Sequence, residues 1–161
     1  MAVNRGKQFE NVIRKSFERV DGVSIDRLND NTAGFKGVAG ICDFIVYKEP
    51  YEYYIECKSV HGASLPFRNI TDTQWGGLLE KSKIEGVHAG IICWWIDKDV
   101  TRFIPSEVLQ KMREDGKKSI HYSWEHYFWG DYTVNSVMYQ LKGKKKRVFF
   151  DYDMEDFLNE V

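Results

Sequence analysis

Two acids and one amine stand within a short stretch of this chain: Asp43, Glu56 and Lys58. Asp43 lies in an apolar stretch, residues 41–47, and Glu56 and Lys58 lie in a second, residues 53–60. Both read as β-strands. Between them, Lys48-Glu49-Pro50-Tyr51-Glu52 carries a turn-forming proline. A hairpin centred between Glu49 and Pro50 pairs positions whose numbers sum to 99, which sets Asp43 opposite Glu56. Cross-strand partners have Cβ atoms about 5 Å apart and share a face. Glu56 and Lys58, two apart on one strand, share that face as well. Two carboxylates and one ammonium are therefore expected to converge on one side of a sheet.

Adjacent carboxylates raise each other's pKa unless a cation joins them. Oxygen ligands suit a hard divalent ion, Mg²⁺ with Mn²⁺ as a substitute. Asp43, Glu56 and a main-chain carbonyl, that of Cys57, would leave positions open for water and phosphate oxygens. Lys58 beside the ion would position or deprotonate the attacking water and offset charge on a phosphoryl group. The layout fits metal-assisted hydrolysis of a phosphodiester. Acid-x-Lys tripeptides are frequent, and most are exposed ion pairs. The apolar neighbours Phe44, Ile45, Val46, Tyr53, Tyr54 and Ile55 set this one apart, because charges buried in such strands are costly unless paired.

The elements that must position these groups follow from apolar spacing. Residues 4–20 read as an amphipathic helix on Phe9, Val12, Ile13, Phe17 and Val20. Glu10 shares the side of Ile13 and Phe17, so it either faces the sheet as an auxiliary acid or is a plain exposed helix glutamate. Residues 21–40 are rich in Gly, Asn and Asp and form loops around a short strand near residues 23–28. A loop is expected over residues 62–69 and a second helix from Thr71 or Asp72 to Glu85, capped by Asp72. Its Gln74 is placed to contact bound water or phosphate, and its Gly76-Gly77 pair weakens the expectation. Residues 87–96 form a continuous apolar run, as a central strand buried on both faces requires. A short strand at residues 101–104 and a helix from Pro105-Ser106-Glu107 to near Asp115-Gly116 follow. The order gives a mixed α/β sheet layered by helices.

The 161 residues suit one domain. With 43% apolar and 15% aromatic residues, the chain can build a core. The formal charge of −1 excludes a uniformly basic nucleic-acid coat but not a local patch. No apolar run approaches the roughly 20 residues of a membrane-spanning helix. The N-terminus lacks a secretory-type apolar core. Cys42, Cys57 and Cys93 are odd in number, lie in apolar stretches and form no CxxC, which points to reduced buried thiols in a cytoplasmic protein. The four histidines are scattered.

An ordered set of short motifs resembles the PD-(D/E)xK nuclease superfamily, specifically the RecU-type Holliday junction resolvases. Asn4-Arg5-Gly6 followed by Glu10 is similar to that family's N-terminal motif. Asp43 and Glu56-Cys57-Lys58 are similar to its acid and Glu-x-Lys. Leu65-Pro66 with Gln74, Gly90-Ile91-Ile92, Phe103-Ile104-Pro105 and Lys117-Lys118-Ser119-Ile120 resemble its later segments in order. The resemblance covers residues 4–120. It implies a restriction-endonuclease-like mixed β-sheet flanked by helices. It also implies a homodimeric, Mg²⁺-dependent endonuclease cutting four-way DNA junctions in recombination and repair. Asp43 and Glu56 would be its metal ligands, Lys58 its catalytic lysine, Glu10 an auxiliary acid and Gln74 a site-lining residue. The cell would be bacterial or phage-infected.

The chain departs from that family in three ways. RecU-type enzymes carry a long stalk before the metal-binding acid, and residues 21–42 leave no room for one, which suggests a stalkless phage-type relative. The chain is not basic overall. Residues 121–161, a C-terminal extension to the single nuclease domain expected over residues 1–161, have no counterpart. Phosphate neutralisation would fall to Arg5, Lys7, Arg14, Arg68, Lys117, Lys118 and the cluster Lys142, Lys144, Lys145, Lys146 and Arg147. That cluster reads equally as a solvated turn. The rings of residues 122–132 either stack on unpaired bases or pack in a core or dimer. Three functions remain open: a junction resolvase, a nuclease for other branched or nicked DNA, and a non-catalytic DNA-binding module that keeps the fold.

Overall fold

The computed structural model describes residues 3–28, 40–124 and 138–161, and the backbone of 128–129 and 132–133. The first helix, α1 (Arg5–Glu18), starts where Asn4 caps it by accepting from the Lys7 N–H at 3.2 Å. Its buried stripe is Phe9, Ile13 and Phe17, as the three- and four-residue spacing requires. Strands β1 (Ser24–Arg27), β2 (Phe44–Lys48) and β3 (Tyr51–Val60) form an antiparallel meander. The β2–β3 register runs Lys48↔Tyr51 through Phe44↔Ile55, with the turn at Glu49-Pro50 as the sequence implied.

The expected loop after β3 contains β4 (Ser64–Pro66) and a 3-10 turn at Phe67–Asn69. Then come α2 (Asp72–Ser82), β5 (Val87–Trp95), β6 (Val100–Pro105) and α3 (Ser106–Glu114). The short β7 (Ser119–His121) pairs with β4. Strands β8 (Phe128–Trp129) and β9 (Tyr132–Thr133) pair with each other. The tail supplies β10 (Tyr139–Gln140), β11 (Gly143–Lys145), β12 (Phe150–Tyr152) and a last helix, α4 (Met154–Glu160).

The main sheet has six strands in the order β1-β2-β3-β5-β6-β10. Only β3 and β5 run parallel, with α2 in the crossover between them; the sheet is mixed. Four helices among the described residues flank it. On one face α1 and α4 bury Phe9, Ile13, Phe17, Phe157 and Leu158 against Phe44, Ile55, Ile92 and Phe103. On the other, α2 and α3 bury Trp75, Leu78, Val108 and Met112 against Tyr54, Ile91, Cys93 and Ile104. Strand β5 feeds both clusters, so its uninterrupted apolar run is explained. The tail adds an edge strand and a helix to this architecture, a structural role that the sequence did not reveal. The three cysteines are buried and unbridged. No helix of the described residues is long and apolar enough to cross a membrane.

Two local expectations are corrected. Thr71, not Asp72, caps α2: its hydroxyl accepts from the Gln74 N–H at 3.2 Å, and the Gln74 side chain accepts from the Thr71 N–H at 3.1 Å. This reciprocal box satisfies two of the helix's orphan donors. Gly77, counted against the helix, is needed there. A Cβ at Gly77 would lie 2.2 Å from Cγ2 of Ile41, so the absence of a side chain lets α2 approach the segment that carries Asp43.

Candidate active site

The hairpin delivers Asp43, Glu56 and Lys58 to the sheet face covered by α2. Tyr54 and Ile45, which alternate in step with them, belong to the core of that face. The pairing slips at its end. The Asp43 N–H donates to the Ile55 carbonyl at 3.0 Å, and its Oδ2 accepts from the Cys57 N–H at 2.7 Å. Asp43 therefore caps the ladder rather than sitting in a regular pair opposite Glu56. That departure fixes its carboxylate through a backbone donor.

Glu56 is 5% exposed, a buried carboxylate in a strand. Its Oε1 receives the Lys58 ammonium at 2.9 Å and the Gln74 side-chain amide at 2.8 Å. Lys58 also donates to Gln74 Oε1 at 3.2 Å, closing a three-membered network. Gln74 is held for this by the capping box, so the helix start and the site share one residue. Glu10 reaches the same neighbourhood from α1. Its carboxylate pairs with Arg27 at 3.0 Å and adds negative charge near Asp43 and Glu56.

Electrostatics make this cluster expensive. Burial, then the Glu56 carboxylate, push Asp43 up to about 8, although the Cys57 N–H and Lys58 oppose the rise. Burial also raises Glu56, against the pull of Lys58. The flanking Cys42 thiol is pushed up to about 12, chiefly by burial and next by Glu56, and burial raises Cys57 as well. These thiols are inert at neutral pH. Two carboxylates that resist ionisation side by side are a site that a cation would relieve.

The donor set is suited to such an ion. Among the described residues no three His, Cys, Asp or Glu side chains converge as a ready metal cage. Mg²⁺ is ordinarily held by one or two carboxylates, with water and phosphate oxygens completing its shell, and Asp43 and Glu56 meet that need.

The expected DNA contacts fall into two groups. Arg14 is taken up by Glu18, Lys142 by Asp156 at 3.1 Å, Lys145 by Asp99, and Lys146 by Asp151 at 3.1 Å. Arg5 and Lys7 occupy the first turn of α1, where the helix dipole favours acids, and the Arg5 guanidinium lies 5.7 Å over the Phe149 ring. Lys144 and Arg147 are exposed on the β11–β12 hairpin. Arg68, Lys117 and Lys118 are exposed beside the start of α2. Of residues 122–132, Tyr122 and Trp124 lie on this side of the molecule under Lys98 and Lys117. The side chains of residues 125–132 fall outside the described residues.

Sequence reasoning missed Arg27, which anchors Glu10, and Thr71, which anchors Gln74. The Thr-x-x-Gln spacing ahead of an apolar run was the available signal for Thr71. Arg27 had none, because its position follows from the β1–β2 pairing that sets it opposite Phe44.

No protein-family model and no curated protein sequence matches the chain. Among solved structures, it is similar to Hjc, a Holliday junction resolvase from the archaeal hyperthermophile Archaeoglobus fulgidus. The TM-score is 0.47 at 19% identity, covering 65% of this chain and 75% of that one.

Proposed function

We propose that this protein is a divalent-metal-dependent DNA endonuclease of the PD-(D/E)xK type, acting on branched DNA with the four-way junction as its substrate. The observation that carries the reading is the convergence of Asp43, the buried Glu56 and Lys58 on one strand hairpin, with burial and the Glu56 carboxylate raising Asp43. The ordered motif matches to RecU-type resolvases support the same reading.

Asp43 and Glu56 would hold Mg²⁺, with the Cys57 carbonyl as a further oxygen donor. Bound there, such an ion would supply Lewis-acid stabilisation of phosphoryl charge. Asp43 contributes a carboxylate oriented by the Cys57 N–H. Glu56 contributes one whose Oε1 is steadied by Lys58 and Gln74. Lys58, about one-fifth exposed, extends its ammonium to the rim, where it can donate to a non-bridging phosphate oxygen and offset the charge that builds during hydrolysis. Gln74 bonds both Lys58 and Glu56 and so fixes the geometry of their ion pair. Glu10, paired with Arg27, would act as an auxiliary acid whose charge is felt by Asp43 and Glu56.

The test is a panel of four-way junctions, flaps, nicked duplex and linear duplex at equal salt, with Mg²⁺ and with EDTA. Branched substrates should be cut only with Mg²⁺. Asp43→Ala and Glu56→Ala should abolish cutting while binding persists. Undiminished cutting by either variant removes the site assignment, and equal rates on all four substrates remove the branch selectivity. Paired cuts on a four-way junction need two copies of the chain, so sedimentation should find a dimer at micromolar concentration.

A further inference from the structure

A groove of about 690 Å³ opens beside the candidate site, between the 3-10 turn at Phe67–Asn69, the first turn of α2 and the end of α3. Its apolar wall includes Phe67 and Trp75, whose rings meet edge to face at 5.2 Å. Its rim carries Arg68, Arg113, Lys117 and Lys118 against one acid, Asp72. Arg68, Arg113 and Lys118 form no ion pair among the described residues. The Arg113 guanidinium rests 4.8 Å over the Trp75 ring. In the tail cluster Lys142, Lys145 and Lys146 are each matched by an aspartate, and Lys144 and Arg147 are exposed. Three cations without an ion pair among the described residues, Arg68, Arg113 and Lys118, thus meet at one groove.

The groove is joined to the site by α2. Thr71 and Asp72 line the groove, and Gln74, within the same turn, bonds Glu56 and Lys58. One helix turn thus carries both the residue bonded to Lys58 and the edge of the groove. The cavity has the size of a small-molecule pocket, which takes about one or two unpaired nucleotides and not a duplex. A guanidinium plane over an indole, beside an apolar wall, is the surface on which a splayed base stacks, while the rim cations meet its phosphates.

We propose that this groove binds the unpaired DNA strand adjoining the cleavage position. The inference rests on the nuclease reading for its purpose but not for its measurement. It adds to that reading a contact to nucleotides that unpair at the branch point when the junction is engaged.

Binding of a labelled oligothymidylate is measured by fluorescence anisotropy in EDTA across a salt series. The proteins are the wild type, the double variant Arg68→Ala/Lys118→Ala, Arg113→Ala, and Lys83→Ala at the opposite end of α2. Two lost phosphate contacts should weaken binding roughly tenfold and flatten the salt slope by about 1.4. Arg113→Ala should weaken binding with a smaller change in slope, and Lys83→Ala should change neither. Wild-type affinity and slope in the double variant, with its urea midpoint unchanged, would overturn the proposal. Equal competition by dextran sulfate and oligothymidylate of matched charge would also overturn it, as a sink for any polyanion. If branched DNA is never cut but the groove variants lose oligothymidylate, the nuclease reading falls and the groove stands. If cutting is robust and the variants bind normally, the groove falls alone.

Discussion

Replacing Asp43 by Asn should make the metal-free protein more stable at neutral pH. The native state holds the Asp43 proton up to about pH 8, because burial and the Glu56 carboxylate disfavour its charge. The unfolded chain releases that proton near pH 4. Between those values the native state binds more protons than the unfolded one. The stability Asp43 contributes is therefore complete below about pH 4 and is lost progressively as pH rises towards 8. The steepest slope for one group is about 1.4 kcal/mol per pH unit, so from pH 5 to 7 the ceiling is about 2.7 kcal/mol. Glu56 is raised as well and adds loss of the same sign. Asparagine keeps an oxygen for the Cys57 N–H and carries no charge to bury. Asp43→Asn should flatten the pH dependence and raise stability at pH 7 by about 2 kcal/mol, or about 4–8 °C in Tm for a chain of this size. Urea unfolding at pH 5, 6, 7 and 8 in EDTA measures this directly. Saturating Mg²⁺ should restore wild-type stability at pH 7 and leave Asp43→Asn unmoved. A wild-type stability that is flat or rising from pH 5 to 7, or an Asn variant no more stable than wild type at pH 7, would refute the picture of two buried carboxylates awaiting a cation.

Three further outcomes follow from the geometry. Gly77→Ala puts a methyl group 2.2 Å from Ile41 Cγ2, and the overpacking should cost about 1–3 kcal/mol despite alanine's better helix propensity, read as a lower urea midpoint. Thr71→Ala removes the cap of α2 and should cost about 1 kcal/mol in chemical denaturation, while loosening Gln74 enough to lower kcat on branched DNA with little change in binding. Arg27→Ala releases Glu10 to add uncompensated charge beside Asp43 and Glu56; titration of thermal stability with Mg²⁺ should show tighter ion binding in the variant, and unchanged binding would place Glu10 outside the site.

The hairpin was legible because period-two alternation and a proline turn fix register almost alone, and Lys48↔Tyr51 follows from that arithmetic. The face shared by Glu56 and Lys58 came with it. Asp43 was harder: it ends the ladder, where the backbone N–H of Cys57 competes for its carboxylate and shifts the last pairing. The glycines of α2 misled for a physical reason, since propensity scores a lone helix and Gly77 answers to a neighbour 36 positions away in sequence. Charge runs likewise depend on the fold. Lys145 and Lys146 stand in a basic run in sequence, and the fold brings Asp99 and Asp151 to them. The Arg27–Glu10 pair needs β1 beside β2, a long-range fact that no local pattern carries.

The first turn of α2 serves both the helix and the site. A cap is normally a local matter, worth about 1 kcal/mol to a helix. Here the Gln74 oxygen that closes the capping box also accepts from Lys58, and its amide donates to Glu56. Gly77 lets the same helix press on Ile41, two residues before Asp43. The position of α2 therefore sets the distance between the acid on one strand and the acid and amine on the next. The sheet provides the side chains, but a hairpin alone would leave Glu56 and Lys58 free to pair in water. It is the helix start, held by Thr71 and seated by a missing side chain, that covers the pair and adds the Gln74 amide to Glu56.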